Sequence, residues 1–430
     1  MHRYITALLA VASCASMAHA QTSPPVATIV PSPVAAGPAL TLDDALRMGG
    51  AASPSVDSAN AGVRAADAAR TVAGLRPNPT ASATAENVVG TGPYRGFSQS
   101  ETTVSLSLPI ELGGKRSARL AVAGAQGVRA RLEVVIAEAD LRLSITQTYI
   151  RALAAEKRVT IAEEQLGFAS EGLRIARDRV QVGATSPLDE QRAAVTEVNA
   201  RTALETARGD AAAARNALSL LLGQPIDQPL DMAWFDRLGG GGGYGPSAPF
   251  EVEGTLALAA ARADVATADA GVRLARSQRV PDLTVSTGIR RLQGTGDNAA
   301  VVGVSIPIPL FNSGRAQLGQ AMALRDQAEA RRRLAVLEAR TEIGNAQTEV
   351  ANAAARARAS GPAMAAAMEA ARIARIGYGQ GKFEQIVLID AERTLSETRA
   401  SAVDAFAAYH DALARLARLT AAAPNSGDIK

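Results

Sequence analysis

Residues 132–153 read LEVVIAEADLRLSITQTYIRAL. Leu132, Ile136, Ala139, Leu143, Thr146, Ile150 and Leu153 step by four and three, the seam of a helix that packs along a neighbouring helix. Nothing nearby interrupts it: from Gly114 to Val182 there is no proline and glycine is sparse. Leu166, Ala169, Leu173, Ala176 and Val180 resume the seam in a shifted frame. At a rise of about 1.5 Å per residue such a helix spans roughly 100 Å, more than a compact soluble domain needs. Gly183 ends it. Ser186 as N-cap and Pro187 in the first turn start a second helix, which returns through Leu222 and stops at Gly223 and Pro225. The pattern predicts a very long antiparallel helical hairpin.

On the N-terminal side two strand-like runs precede the hairpin. Thr80 to Val89 alternates small and polar residues; Thr102 to Leu108 puts Val104, Leu106 and Leu108 on one face and Ser105 and Ser107 on the other. The turn-rich stretch Gly90 to Gly96 separates them. Runs of 10 and seven residues approach the length of a tilted membrane strand. Before them a helix is expected from Thr41 to about Leu75. Thr41-Leu42-Asp43-Asp44 forms a capping box with Asp in place of Glu, and Pro77-Asn78-Pro79 stops the helix.

The same order then recurs. A helix is expected over about Glu251 to Gln278, strands over 282–291 and 299–306, a turn from Leu292 to Asn298, and a long helix from Arg315 to Gly379 with Pro362 as a kink or break. Phe311-Asn312-Ser313-Gly314-Arg315 matches Leu112-Gly113-Gly114-Lys115 in place and kind, Gly381 answers Gly183, and a last helix runs from Gln385 to about Leu419. The division read from this is a signal peptide over 1–20, a flexible leader over 21–40, a first repeat over 41–224, a Gly-rich linker or equatorial segment over 225–250, a second repeat over 251–420 and a flexible tail over 421–430.

The first 20 residues read as an export signal: Arg3, a short apolar run from Ile5 to Ala12, and Ala18-His19-Ala20 as the cleavage site. Val11-Ala12-Ser13-Cys14 also loosely matches a lipoprotein box, which would leave Cys14 lipidated at the N-terminus. Beyond the signal no run of 18 apolar residues occurs, so a spanning α-helix is excluded and any membrane crossing is by strands. Four strands cannot close a barrel, and open edges are not tolerated in lipid. Several chains must share one barrel, of eight strands in a dimer or 12 in a trimer.

Composition argues for packing and against chemistry. The hydrophobic class is 47% of the chain but aromatics only 3%; alanine is the largest single part of the difference and favours close helix packing. The net charge of +3 is spread over mixed faces, without the basic block that nucleic acid would require. There is no HExxH and no Cys/His cluster; after cleavage His410 is the sole histidine, read as a surface or packed residue. Met364 and Met368 are read as packing rather than a copper(I) pair, and the glycine run 239–243 lacks the GK[ST] ending of a phosphate loop. No catalytic residue, metal site or cofactor is expected.

Pro77-Asn78-Pro79, Leu108-Pro109-Ile110-Glu111-Leu112-Gly113-Gly114-Lys115-Arg116 and Ile306-Pro307-Ile308-Pro309-Leu310-Phe311-Asn312, with the full repeat, resemble the TolC family of outer-membrane factors, and most of all its CzcC-like heavy-metal branch. The resemblance implies a mainly α protein with a small membrane β part. Long antiparallel helical hairpins would form an α-barrel, and four strands per chain would join a shared 12-stranded, trimeric transmembrane β-barrel. It implies a homotrimer in outer-membrane lipid, a periplasmic membrane-fusion adaptor and an inner-membrane RND transporter as partners, and export of cobalt-, zinc- or cadmium-type cations. Multidrug or solvent efflux, type I secretion and, in a different class, a periplasmic coiled-coil adaptor or structural protein are the rival readings.

The two tight turns resemble the family's periplasmic tips. On that resemblance Gly183, Ser186, Asp189, Gly381, Lys382 and Phe383 dock the adaptor, and Tyr378 and Asp390 are gate positions. The sequence departs from the family at Phe383 and Val387, which stand where a closing arginine and a constricting aspartate are used. Independently of the family, a ring of Asp390 from several chains would favour cations and resist mutual approach.

Overall fold

The computed structural model describes residues 38–49, 53–239 and 252–424. The residues read as signal peptide, with Cys14, most of those read as leader, residues 240–243 of the glycine run and the last six residues lie outside the described residues.

The elements, in order, are α1 (Leu42–Gly49), α2 (Pro54–Ala73), β1 (Thr80–Glu86), β2 (Glu101–Ile110), α3 (Lys115–Gln181), α4 (Pro187–Leu222), the single turn α5 (Met232–Phe235), α6 (Leu256–Ser277), β3 (Leu283–Leu292), β4 (Asn298–Ser305), α7 (Arg315–Gly379) and α8 (Gln385–Leu419). The strands form one antiparallel sheet in the order β1-β2-β3-β4. α3 pairs with α4 and α7 with α8, and the hairpins meet through α3 and α8. Nearer the sheet, α2 and α6 take over the places of α4 and α8 beside α3 and α7.

Three expectations change. The first helix is two, because Gly49 ends α1 and Pro54 sits at the first position of α2, where its fixed φ and missing N–H cost nothing. The capping box does form: the Asp44 N–H donates to Thr41 Oγ1 at 3.2 Å and the Thr41 N–H to Asp44 Oδ2 at 3.3 Å. Pro362 lies inside α7 without ending it.

The third change concerns segments read as linker, leader and tail. Residues 226–235 carry part of the largest core. Ile226, Leu230 and Phe235 are buried with Leu40, Ile145, Tyr149, Leu153 and Leu218. Asp231 caps α5 through the Trp234 N–H at 3.1 Å. The Tyr149 hydroxyl donates to the Leu40 carbonyl at 2.7 Å and accepts from the Asp231 N–H at 3.2 Å, tying chain entry and mid-chain segment to the centre of α3. Ala423 N–H donates to the Gly254 carbonyl at 2.8 Å, so the start of the tail is also bound.

The seam of α3 is wider than the heptad predicts. Leu132, Thr146, Ile150 and Leu153 are buried, but Ile136, Ala139 and Leu143 are only half-buried. A second stripe, Leu141, Ile145, Tyr149 and Ala152, is buried instead. A helix with neighbours on several sides needs more than one stripe, and a single four-three register captures only one of them.

Candidate functional site: strands, junction and tips

The sheet has two chemically distinct faces. Val104, Leu106, Leu108 and Ile110 of β2 share one face; the register sets Ile289, Thr287, Val285 and Leu283 of β3 beside them, and Val302 and Val304 of β4 beyond. Val104, Leu106, Leu108, Ile110, Ile289, Val302 and Val304 are 39–76% exposed. Ser and Thr predominate on the opposite face: Ser82, Thr84, Thr103, Ser105, Ser107 and Ser286, with Ser82 and Ser105 hydroxyls 2.9 Å apart. An exposed apolar face backed by a polar one is the pattern of strands that face lipid outside and water inside. The outer strands β1 and β4 each keep an unpaired edge within the chain.

Where strand becomes helix, the string Glu111 to Arg116 builds a compact junction. Gly113 and Gly114 adopt φ of 70° and 73°, the left-handed region where glycine is at ease. Lys115 Nζ lies 2.7 Å from Asp282 Oδ1, which also accepts from the Leu112 N–H at 3.1 Å. Partial burial opposes ionisation of Asp282, but the bonds from Lys115 and Leu112 outweigh it and hold the carboxyl below its usual range. Arg119 grips Glu111 with both terminal nitrogens and reaches the carbonyls of Ala73 and Leu75. Its hydrogen bonds lower the Glu111 carboxyl. The string thus clamps β2, β3 and the end of α2 onto the start of α3.

The two tips are geometric twins. At the first, Gly183 (φ 70°) donates to the Val180 carbonyl at 3.0 Å and Ala184 to that of Arg179 at 2.8 Å. At the second, Gly381 (φ 72°) donates to Tyr378 at 2.9 Å and Lys382 to Gly377 at 2.8 Å. Both are Schellman closures, which need a left-handed residue at that point. Ser186 Oγ caps α4 by accepting from the Leu188 N–H at 3.2 Å; Glu384, its counterpart, makes no such bond.

Between the tips the hairpins are locked together. The Arg179 guanidinium lies 5.0 Å from the Tyr378 ring centre and donates to the Tyr378 carbonyl at 3.3 Å. Gln385 Nε2 donates to the Asp189 carbonyl at 2.9 Å. Arg375 pairs with Glu392 and lies 3.6 Å over the Phe168 ring. A cavity of about 430 Å³ opens between α3, α4 and α8, lined in part by Phe168, Ala200, Tyr378, Gln385 and Leu388.

The edge helices of the chain carry apolar side chains with nothing over them: Val195 and Val198 on α4, and Leu334, Leu337, Ile373 and Ile376 on α7, are 47–63% exposed. Edge helices with bare apolar seams and a sheet with two bare edges call for the same remedy, further copies of the chain.

The outer membrane efflux protein family model matches residues 50–224 and 253–422, one segment for each half of the repeat. The chain belongs to the outer membrane efflux protein family. It is therefore a transport protein of the outer membrane rather than an enzyme. Two curated relatives are the cobalt-zinc-cadmium resistance protein CzcC of Cupriavidus metallidurans, 30% identical over 85% of this chain and 86% of that protein, and the nickel and cobalt resistance protein CnrC of the same organism, 32% identical over 74% and 71%. Among solved structures, the outer membrane protein VceC of Vibrio cholerae superposes with a TM-score of 0.70 at 22% identity, covering 88% of this chain and 96% of that one. The fold of this efflux protein is that of these channels: mainly helical, with a four-stranded sheet.

Within that fold the candidate tip residues separate into two groups. Gly183, Ser186, Gly381 and Lys382 are exposed at the turns, and Asp189 is half-buried between the hairpins. Phe383 is 39% exposed, its ring laid against Gly377, where a Cβ would overlap it. The candidate gate residues part company. Asp390 is exposed and pairs at 2.8 Å with Arg393 on its own helix. Tyr378 is 2% exposed and faces Arg179, so within one chain it is a hairpin-to-hairpin contact rather than a pore-lining group. Its burial pushes the phenol up.

Sequence reading missed Arg179, Arg375, Gln385 and Phe168, because pairings between hairpins almost 200 residues apart leave no local pattern. His410 is packed. It stacks on Trp234 at 4.3 Å and its Nε2 bonds the Phe235 carbonyl at 2.8 Å. Burial lowers its basicity.

Proposed function

We propose that this efflux protein works as a homotrimer, the outer-membrane exit channel of a tripartite pump that exports divalent heavy-metal cations. The observation that carries the reading is similarity to the metal-resistance relatives along most of the chain: the match to CzcC covers 85% of this chain and 86% of that protein. Three copies would bring 12 strands to one closed barrel and cover the apolar seams of α4 and α7 with neighbours. The long helices α3 and α7, each about 100 Å, would carry the passage far below the membrane.

The tips dock a periplasmic adaptor, which connects to an inner-membrane RND transporter. Gly183, Ser186, Asp189, Gly381, Lys382 and Phe383 form the docking end, and the cavity between α3, α4 and α8 offers a groove for an adaptor's apolar side chains. Asp390 and the Tyr378 contact set the resting aperture. The transporter chooses the cargo, and the tube conducts it.

Gly183→Val and Gly381→Val test the docking end. A β-branched residue at φ near 70° costs at least about 1–2 kcal/mol and reshapes the turn. The tips lie far from the Tyr149 core, so trimers should reach the outer membrane in normal amount, while cross-linking to the adaptor and metal resistance are both lost. Full resistance in both variants would show that the tips are not the docking surface.

A further inference from the structure

We propose that Glu86, Glu101 and Arg290 form a charge filter at the outer mouth of the barrel, one that favours cations over anions in the exit path. The inference rests on the channel reading above and extends it to a part of the molecule that no tip residue touches.

The strands place these three side chains together. Glu86 ends β1 and Glu101 begins β2, and the register sets them directly opposite each other. Like charges in that position repel and weaken a strand pair. Arg290 of β3 answers both: its Nη1 lies 2.9 Å from Glu101 Oε2, its Nη2 3.4 Å from Glu86 Oε2, and its Nε donates to Thr103 Oγ1 at 3.0 Å. Strand alternation puts all three on the Ser/Thr face, with Thr84, Thr103 and Ser105, opposite Val104 and Ile289. That face lines the water-filled interior. They sit at the end of the sheet away from the helices, beside the β1–β2 turn.

Two carboxylates against one guanidinium leave one net negative charge per chain. Three copies would arrange six carboxylates and three guanidiniums in one ring. Strands about 4.8 Å apart and tilted about 40° give a 12-stranded barrel a backbone radius of about 12 Å. Inward side chains leave an open radius of roughly 6–7 Å, below the Debye length of about 8 Å at physiological ionic strength. No ion can pass outside the field of the ring, and rings of acidic side chains select cations in this way.

The other charges at the mouth do not share the lumen face. Arg291 falls on the apolar face beside Ile289, and Arg95 and Asp297, of opposite sign, stand in the two exposed turns. The Arg290 bonds also fix the carboxylates in place, so the ring is a stationary feature of the wall rather than a set of mobile side chains.

Purified protein in planar bilayers under a potassium chloride gradient tests this. The cation-to-anion permeability ratio should fall in the order Arg290→Gln, native chain, Glu86→Gln with Glu101→Gln, each step about two-fold or more. Glu86→Gln alone keeps the Arg290–Glu101 bond and should fall between the native chain and the double variant, so the order can be read even if the double variant fails to assemble. One ratio shared by all the assembled proteins would overturn the filter and leave the channel standing. If the native chain forms no channels at all, the channel reading fails and the filter fails with it.

Discussion

Gly113→Val removes heat-resistant trimers from the outer membrane. Gly113 has φ of 70°, and a Cβ there would lie 2.7 Å from Val280 Cβ and 2.9 Å from the Ser277 carbonyl oxygen. A left-handed backbone costs a side chain about 1–2 kcal/mol, and forcing atoms into a filled site about 1–3 more. Together these are a large part of the 5–15 kcal/mol or so that stabilises a typical protein. The strain also falls on the clamp itself, because Val280 leads into Asp282, the partner of Lys115 and Leu112. Gly114→Asn is the matched control. Its φ is 73°, but the nearest atom to its Cβ is Ser117 Oγ at 3.3 Å, a movable hydroxyl, and asparagine tolerates the left-handed region. Trimers on unheated gels should vanish for the first variant and persist for the second. Equal yields would show that the junction does not organise the barrel.

Tyr378→Ala opens the tip without dissolving the trimer. The ring is 2% exposed and packs with Ala374, Leu388, Ile175 and Ala391 beneath the Arg179 guanidinium. Removing a buried aromatic costs about 3–5 kcal/mol, and the cation–π contact adds about 0.5–1. The loss is local, because this cluster is separate from the core around Tyr149 and Phe235. With the contact gone, α7 loses a hold on α3 at the tip. Normal trimer yield, higher single-channel conductance and new sensitivity to bulky antibiotics are expected, while Tyr378→Phe, which keeps the ring beneath Arg179, stays near native. Unchanged conductance in Tyr378→Ala would remove Tyr378 from the gate.

The architecture was legible because long elements repeat their own signals. A helix such as α3 restates its seam at every turn, and the strands show alternation with glycine and proline at their ends. The tip turns were legible for a sharper reason: Gly183 and Gly381 stand where the backbone must turn left-handed. The misread segments were short. The Gly49–Pro54 break lies inside an otherwise helical pattern, and 226–235 looks like linker because its order comes from contacts with Tyr149, Leu40 and His410 rather than from periodicity. The site was legible at its turns but not at its contacts. Arg179 on Tyr378, Arg375 on Phe168, and Arg290 between two glutamates each join residues that only the folded chain brings together.

An exit duct of a metal pump, as proposed for this outer membrane protein, is needed for growth in the metal it exports. The most direct measurement is growth of a deletion strain, with and without the gene restored, across zinc, cobalt, cadmium, nickel and copper and a panel of common drugs. Selective sensitivity to cobalt-, zinc-, cadmium- or nickel-type cations is expected, with unchanged drug tolerance and full rescue by the native gene. Drug sensitivity with normal tolerance of every metal would contradict the proposal.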